Sequence, residues 1–211
     1  MSLPDRDFSA LQGVADVSRE TFDDLITFVE LLEKWNRSIN LVSPQSLPDA
    51  WTRHILDSAQ LSPLFHGSVG NAVDIGTGGG FPGLVLAIIF KHSAPDRQVT
   101  LIESDQRKCA FLLTVSSQLN LNTKVIAKRI EQVPPSEADV LTSRALAPLS
   151  QLLGYAHRHL KPEGTAFLLK GRSAEAEIEE ALASWSLDLK RKESKTTSDG
   201  VILEIRNLRP R

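Results

Sequence analysis

The chain has 211 residues, 41% of them hydrophobic and 24% charged, with a formal net charge of −2; that is one water-soluble α/β domain with a small extension, and too little chain for two full domains. Its longest apolar stretch, Leu84 to Phe90, is too short to span a bilayer, and Met1 to Asp7 carries three charges and no apolar core of a secretory signal. The single cysteine, Cys109, permits neither a disulfide nor a CxxC pair and fits a cytoplasmic protein.

Residues 1–69 read as a helical extension packed on the core. From Ser18 to Trp35 the residues Phe22, Leu25, Ile26, Val29 and Leu32 recur at helical spacing, with Asp and Glu on the opposite face and Ser18 or Thr21 placed to cap. Asp49 to Leu61 is a second helical run, bounded by Pro48 and Pro63. From residue 70 to 211 the pattern alternates. Strands are expected at Ala72–Ile75, Val99–Glu103, Val125–Ala127, Asp139–Thr142, Thr165–Leu169 and Val201–Arg206. Helices are expected at Phe81–Lys91, Arg107–Leu119, Leu149–Leu160 and Ala174–Ser184. Such alternation implies a parallel sheet with helices on both faces, which takes its ligand beyond the carboxyl ends of the strands.

At that place, after the first of these strands, stands Asp74-Ile75-Gly76-Thr77-Gly78-Gly79-Gly80-Phe81-Pro82-Gly83. Five glycines in eight residues let backbone approach a ligand closely, with the N–H groups of the next helix behind it. Gly78, Gly80 and Gly83 match the dinucleotide fingerprint G-x-G-x-x-G, which would make the chain an NAD-dependent oxidoreductase. Counted from Gly76, the glycine nearest the strand, the third glycine becomes Phe81 and the match fails. Asp74 would also repel a pyrophosphate, whereas S-adenosylmethionine carries a sulfonium and an ammonium that a carboxylate attracts. The loop therefore points to S-adenosylmethionine, held around Asp74, Gly76 and Gly78.

Glu103 ends the next strand, where an acidic side chain takes the two ribose hydroxyls. Glu131 follows the third strand and can accept from the adenine amino group. Methylation of an exocyclic amine calls for an Asn/Asp-Pro-Pro-aromatic motif after the fourth strand; this chain has Thr142-Ser143-Arg144-Ala145-Leu146-Ala147-Pro148 there. Cys109 lies within a helix and reads as packing rather than as a nucleophile, and no His/Cys/Asp cluster has metal spacing. A ring nitrogen with a free lone pair, such as guanine N7, needs no general base, only alignment. Arg144 stands where the reacting groups meet, suited to a methionine carboxylate or to guanine O6.

These residues carry a resemblance. Trp35-Asn36-Arg37-Ser38-Ile39-Asn40-Leu41-Val42-Ser43, Arg53-His54-Ile55-Leu56-Asp57-Ser58, the glycine loop, Ile102-Glu103-Ser104, Lys108 to Leu112, Ser143-Arg144-Ala145 and Leu169-Lys170-Gly171 occur in order. The chain resembles the small-subunit ribosomal RNA methyltransferase G family, also called glucose-inhibited division protein B. The resemblance implies a Rossmann-like class I methyltransferase core, with a mostly parallel seven-stranded sheet and an N-terminal helical extension. It implies methyl transfer to N7 of one guanine in bacterial 16S rRNA, as naked RNA or as the small ribosomal subunit. Cofactor positions of the family fall on Gly76, Phe81, Ile130, Glu131 and Arg144. The family often has Pro where this chain has Gly79. A monomer without metal or membrane attachment is expected.

Charge agrees with an RNA substrate and leaves a small-molecule methyltransferase as the alternative. Residues 1–105 hold 7 Lys/Arg and 14 Asp/Glu (−7), and residues 106–211 hold 17 and 12 (+5), so the second half can face phosphate. On a helix His54, Asp57 and Ser58 share a face and Arg53 and Asp57 form an i,i+4 pair; this group either presents the base or docks the extension. Lys170 and Arg172 are candidate phosphate contacts.

Overall fold

A computed structural model describes residues 6–65 and 70–211; the start of the chain and the boundary expected at residue 69 lie outside that range. Helix α1 (Phe8–Val14) begins at Asp7, whose carboxylate accepts from Ser9 N. Two turns give too short a pattern to be read in advance. Helix α2 (Arg19–Asn36) is capped by Ser18, which accepts from Thr21 N, and buries Leu25, Phe28, Val29 and Leu32. The run after Pro48 is not a plain α-helix. It makes a π-helical turn, Trp51–Leu56, that passes into the short α3 (Asp57–Ala59). Widened turns of this kind often mark functional sites.

The core is a seven-stranded sheet in the order β3-β2-β1-β4-β5-β7-β6. The strands are β1 (Asn71–Ile75), β2 (Gln98–Glu103), β3 (Thr123–Ala127), β4 (Ala138–Arg144), β5 (Leu160–Lys170), β6 (Trp185–Glu193) and β7 (Val201–Pro210). Strands β1 to β5 pair in parallel, and β7 runs antiparallel between β5 and β6. Six strands fall where expected. The seventh, β6, ends in Lys190-Arg191-Lys192-Glu193, a charged run that suits an unpaired sheet edge and hides the strand from a hydrophobicity pattern.

Helices α4 (Gly83–Ser93), α5 (Gln106–Gln118), α6 (Leu149–His159) and α7 (Ala174–Leu182) cover the sheet. Leu84 to Phe90 of α4, Phe111 and Leu112 of α5, and Leu25, Phe28 and Leu32 of α2 form one apolar cluster. Leu149, Leu152 and Leu153 of α6 and Ile178 of α7 belong to another, on the opposite face. The two-residue period of β1 sends Ala72 to the first cluster and Val73 and Ile75 to the second. Asp74, in phase with Ala72, therefore points toward α4. Among the described residues no helix is long and apolar enough to cross a membrane.

Candidate active site: a small cleft at Gly76 and a larger one at Arg144

The glycine loop is braced from behind. Asp74 is 0% exposed. Its Oδ1 accepts from Thr142 Oγ1 at 2.8 Å and its Oδ2 from Gly83 N at 2.9 Å. Burial pushes its pKa up to about 6, against the hydrogen bonds from Thr142 and Gly83. The expectation that Asp74 faces the ligand is thus corrected: its carboxylate ties the first turn of α4 to β4. Gly83 serves the same joint, since a Cβ there would stand 2.4 Å from Leu101 Cδ2 and 2.7 Å from Asp74 Oδ2. Gly76 has φ +64°, and a Cβ there would meet Leu146 Cδ1 at 2.5 Å.

A small cleft of about 110 Å³ opens beside Gly76, lined by Glu103, Ile130, Glu131, Leu146 and Tyr155 among others. Glu103 is held by three backbone amides: Gly78 N at 3.0 Å to Oε2, and Ser104 N at 2.7 Å and Asp105 N at 2.8 Å to Oε1. Tyr155 donates its hydroxyl to Glu131, which holds that carboxyl below its ordinary range and raises the phenol. Tyr155 has no sequence signal, because its partner lies 24 positions away on another element. Phe81 does not line this cleft. It is 4% exposed and lies under His54 and Arg144, with 5.0 Å between its ring centre and both the imidazole centroid and the guanidinium carbon.

A separate, larger cleft of about 560 Å³ is lined by Arg144 and takes in Arg53, His54, Asp57, Lys170 and Arg172. Arg144 Nη1 donates to Arg53 O at 2.8 Å and to Asp57 Oδ2 at 3.2 Å, and Nη2 donates to His54 Nδ1 at 2.9 Å. The expected Arg53–Asp57 pair is replaced by this Arg144–Asp57 pair. Asp57 Oδ1 accepts from Gln60 Nε2 and from Thr196 Oγ1, both at 2.9 Å, so the loop between β6 and β7 joins the same cluster. Burial, and then the nearby Arg144 charge, push the His54 pKa down to about 3. Ser58 does not share the exposed face with His54: it is fully buried and donates to His54 O at 2.6 Å.

Lys170 likewise departs from its expected role as a phosphate contact. Its side chain is only 9% exposed, pairs with Glu177 at 2.5 Å and donates to Ala147 O at 3.1 Å. Arg172 is 88% exposed and pairs with Asp199 at 2.9 Å, a surface pair that leaves its other donors facing solvent. Cys109 is buried and donates to Glu103 O at 3.3 Å, a packing role. Among the described residues no group of His, Cys, Asp and Glu is placed to hold a metal ion.

A parallel sheet with a reversed β7, a glycine loop after β1 and a carboxylate ending β2 define the class I methyltransferase fold. A SAM-dependent methyltransferase from Aquifex aeolicus matches it at TM-score 0.58 and 16% identity, over 82% of this chain and 97% of that one. M. jannaschii TYW2 in complex with AdoMet matches at TM-score 0.56 and 15% identity, over 72% and 74%. The model of rRNA small subunit methyltransferase G matches residues 21–205. Ribosomal RNA small subunit methyltransferase G of Paramagnetospirillum magneticum is 49% identical over 192 residues, 91% of each chain. The chain belongs to the rRNA small subunit methyltransferase G family.

Proposed function

We propose that this enzyme transfers the methyl group of S-adenosylmethionine to N7 of one guanine in 16S rRNA. The observation that carries this reading is the chemistry of the larger cleft around Arg144. Among the described residues no free general base stands there. Both His54 ring nitrogens, both Asp57 oxygens and the Lys170 ammonium are already engaged. Guanine N7 carries no proton, so its methylation asks only for alignment and exclusion of water.

The lining of the small cleft suits the polar groups of an adenosine. Glu103, fixed by three amides, keeps one acceptor site on Oε2 for a ribose hydroxyl; Ile130 offers an apolar wall and Glu131 an acceptor for an amino group. Bound there, the cofactor would supply an activated methyl on a sulfonium. Leu146 packs over Gly76, in the space a Cβ would take, and lines the small cleft beside it. Arg144 retains Nε and one Nη2 hydrogen without a partner among the described residues, donors that suit guanine O6 or a carboxylate. Arg53 and Arg172 bring exposed positive charge to the larger cleft, in keeping with an RNA substrate.

The test is methylation of purified small ribosomal subunits and of naked 16S rRNA with labelled cofactor, followed by nucleoside analysis. Label in 7-methylguanosine is expected. Label on an exocyclic amine or a ribose overturns the N7 assignment, and tight NAD binding in calorimetry overturns the cofactor.

A further inference from the structure

The cluster around Arg144 has a fixed sense of hydrogen bonding. A guanidinium can only donate, so the His54 Nδ1 that meets Arg144 Nη2 at 2.9 Å is unprotonated. The imidazole proton then sits on Nε2, 3.0 Å from Ser46 Oγ. Ser46 Oγ can receive it, because its own proton goes to Ser43 O at 3.0 Å. Ser43 Oγ donates to Ser46 Oγ at 3.1 Å and accepts from Ser46 N at 3.2 Å. Every proton in the chain from Ser43 to Arg144 thus has one place. The imidazole also rests on the Phe81 ring, with centroids 5.0 Å apart and planes inclined by 31°, and the guanidinium rests on the same ring.

We propose that His54 is a positioning residue for methyl transfer: its unprotonated Nδ1, oriented by Ser46, sets the Arg144 guanidinium in the wall of the larger cleft. This rests on the reading of the Arg144 side of the larger cleft as the place where base and methyl meet. Three of the five guanidinium hydrogens are committed to the N-terminal segment, which leaves one orientation for the two that remain. An Arg144 without His54 still has Asp57 and the Arg53 carbonyl, so it stays docked but can turn. Misplacement of a positioning group by about 1 Å is enough to cost about a hundredfold in rate.

Two substitutions separate the two nitrogens. His54→Asn keeps an acceptor at the position of Nδ1 and loses the bond to Ser46. His54→Gln keeps a donor toward Ser46 at the position of Nε2 and has no acceptor at the position of Nδ1. Single-turnover and steady-state methylation of small subunits, cofactor affinity and Tm are measured for both. The expected result is a kcat for His54→Gln about tenfold or more below that of His54→Asn, with cofactor affinity and Tm alike in the two. Equal turnover in the two variants, or losses that follow Tm in both, overturns the proposal. Should neither variant fold, Ser46→Ala carries the test: a several-fold drop in kcat is expected, and unchanged kcat overturns it. The position of the methyl is read from the same reactions, so label away from N7 sinks the functional reading while the order of the variants still judges His54.

Discussion

Gly83 donates its amide to Asp74 Oδ2 at 2.9 Å, across a joint so close that a Cβ on Gly83 would stand 2.7 Å from the same oxygen. The carboxylate in the glycine loop acts here as a structural strut.

That relationship separates two substitutions at Asp74. Asp74→Ala leaves the Gly83 N–H and the Thr142 hydroxyl unpaired inside the protein, at about 2–5 kcal/mol in total. Asp74→Asn can still accept from Gly83 N and can donate to Thr142 Oγ1. A strut predicts that Asp74→Asn keeps most of the stability and cofactor affinity while Asp74→Ala loses both. Urea unfolding and calorimetry with S-adenosylmethionine decide, and equal loss of affinity in the two variants would restore a direct charge attraction.

Gly76 combines a positive φ with a crowded Cβ position. Gly76→Ala costs about 1–2 kcal/mol in backbone strain and pushes on Leu146, and Gly76→Val is expected to abolish cofactor binding. Adding Leu146→Ala to Gly76→Ala clears the space but leaves φ at +64°. The double variant should therefore recover part of the affinity in calorimetry, and full recovery would show that crowding alone matters.

Lys170 and Arg172 are neighbours in sequence with different work. Lys170→Ala removes the cation paired with Glu177, which keeps its bonds from Leu149 N and Ser173 Oγ, and should lower stability by about 1–3 kcal/mol. Arg172→Glu should leave Tm unchanged, raise KM for the small subunit several-fold and flatten the dependence of binding on log salt by about 0.7–0.9 per lost phosphate contact. A salt titration of both variants checks the division.

Acid stability has two opposed contributions. His54 has a pKa of about 3 when folded against 6.5 as a free group, so the unfolded chain takes its proton first. Acidification through that window costs at most about 1.4 kcal/mol per pH unit. Asp74 has a folded pKa of about 6 against 3.8, so the folded protein takes that proton first and gains by a similar amount between those values. The two nearly cancel between pH 6 and pH 3.8. Asp74→Asn should expose a steady decline below pH 6.5, and His54→Asn should reverse it, as read by urea midpoints across pH.

Much of the fold was legible because the strands and helices of an α/β sheet carry their own periods: the Ser18 cap, six strands and the glycine loop all stand where the pattern placed them. The missing strand, β6, carries charge where a buried strand would carry apolar residues. The site was legible as a set of residues and less so as a set of directions. Asp74 points inward because the period of β1 aims it at α4, a deduction the alternation of Val73 and Ile75 permits. The burial of Lys170, the turn of Ser58 and the pairing of Tyr155 with Glu131 depend on partners from distant elements. The widened turn at Trp51–Leu56 shows only in three dimensions.

The larger cleft is closed by contacts between remote parts of the chain. Gln60 donates to Ser194 Oγ at 3.1 Å and accepts from Lys195 N at 2.9 Å, and Asp57 accepts from Thr196 139 positions away. On the ribosome this has a consequence in time. The glycine loop and its strut can form once β4 has emerged, while the groove opposite must wait for the last hairpin. The larger cleft, lined from Arg53 through to Ile202, is therefore completed only when almost the whole chain has been made.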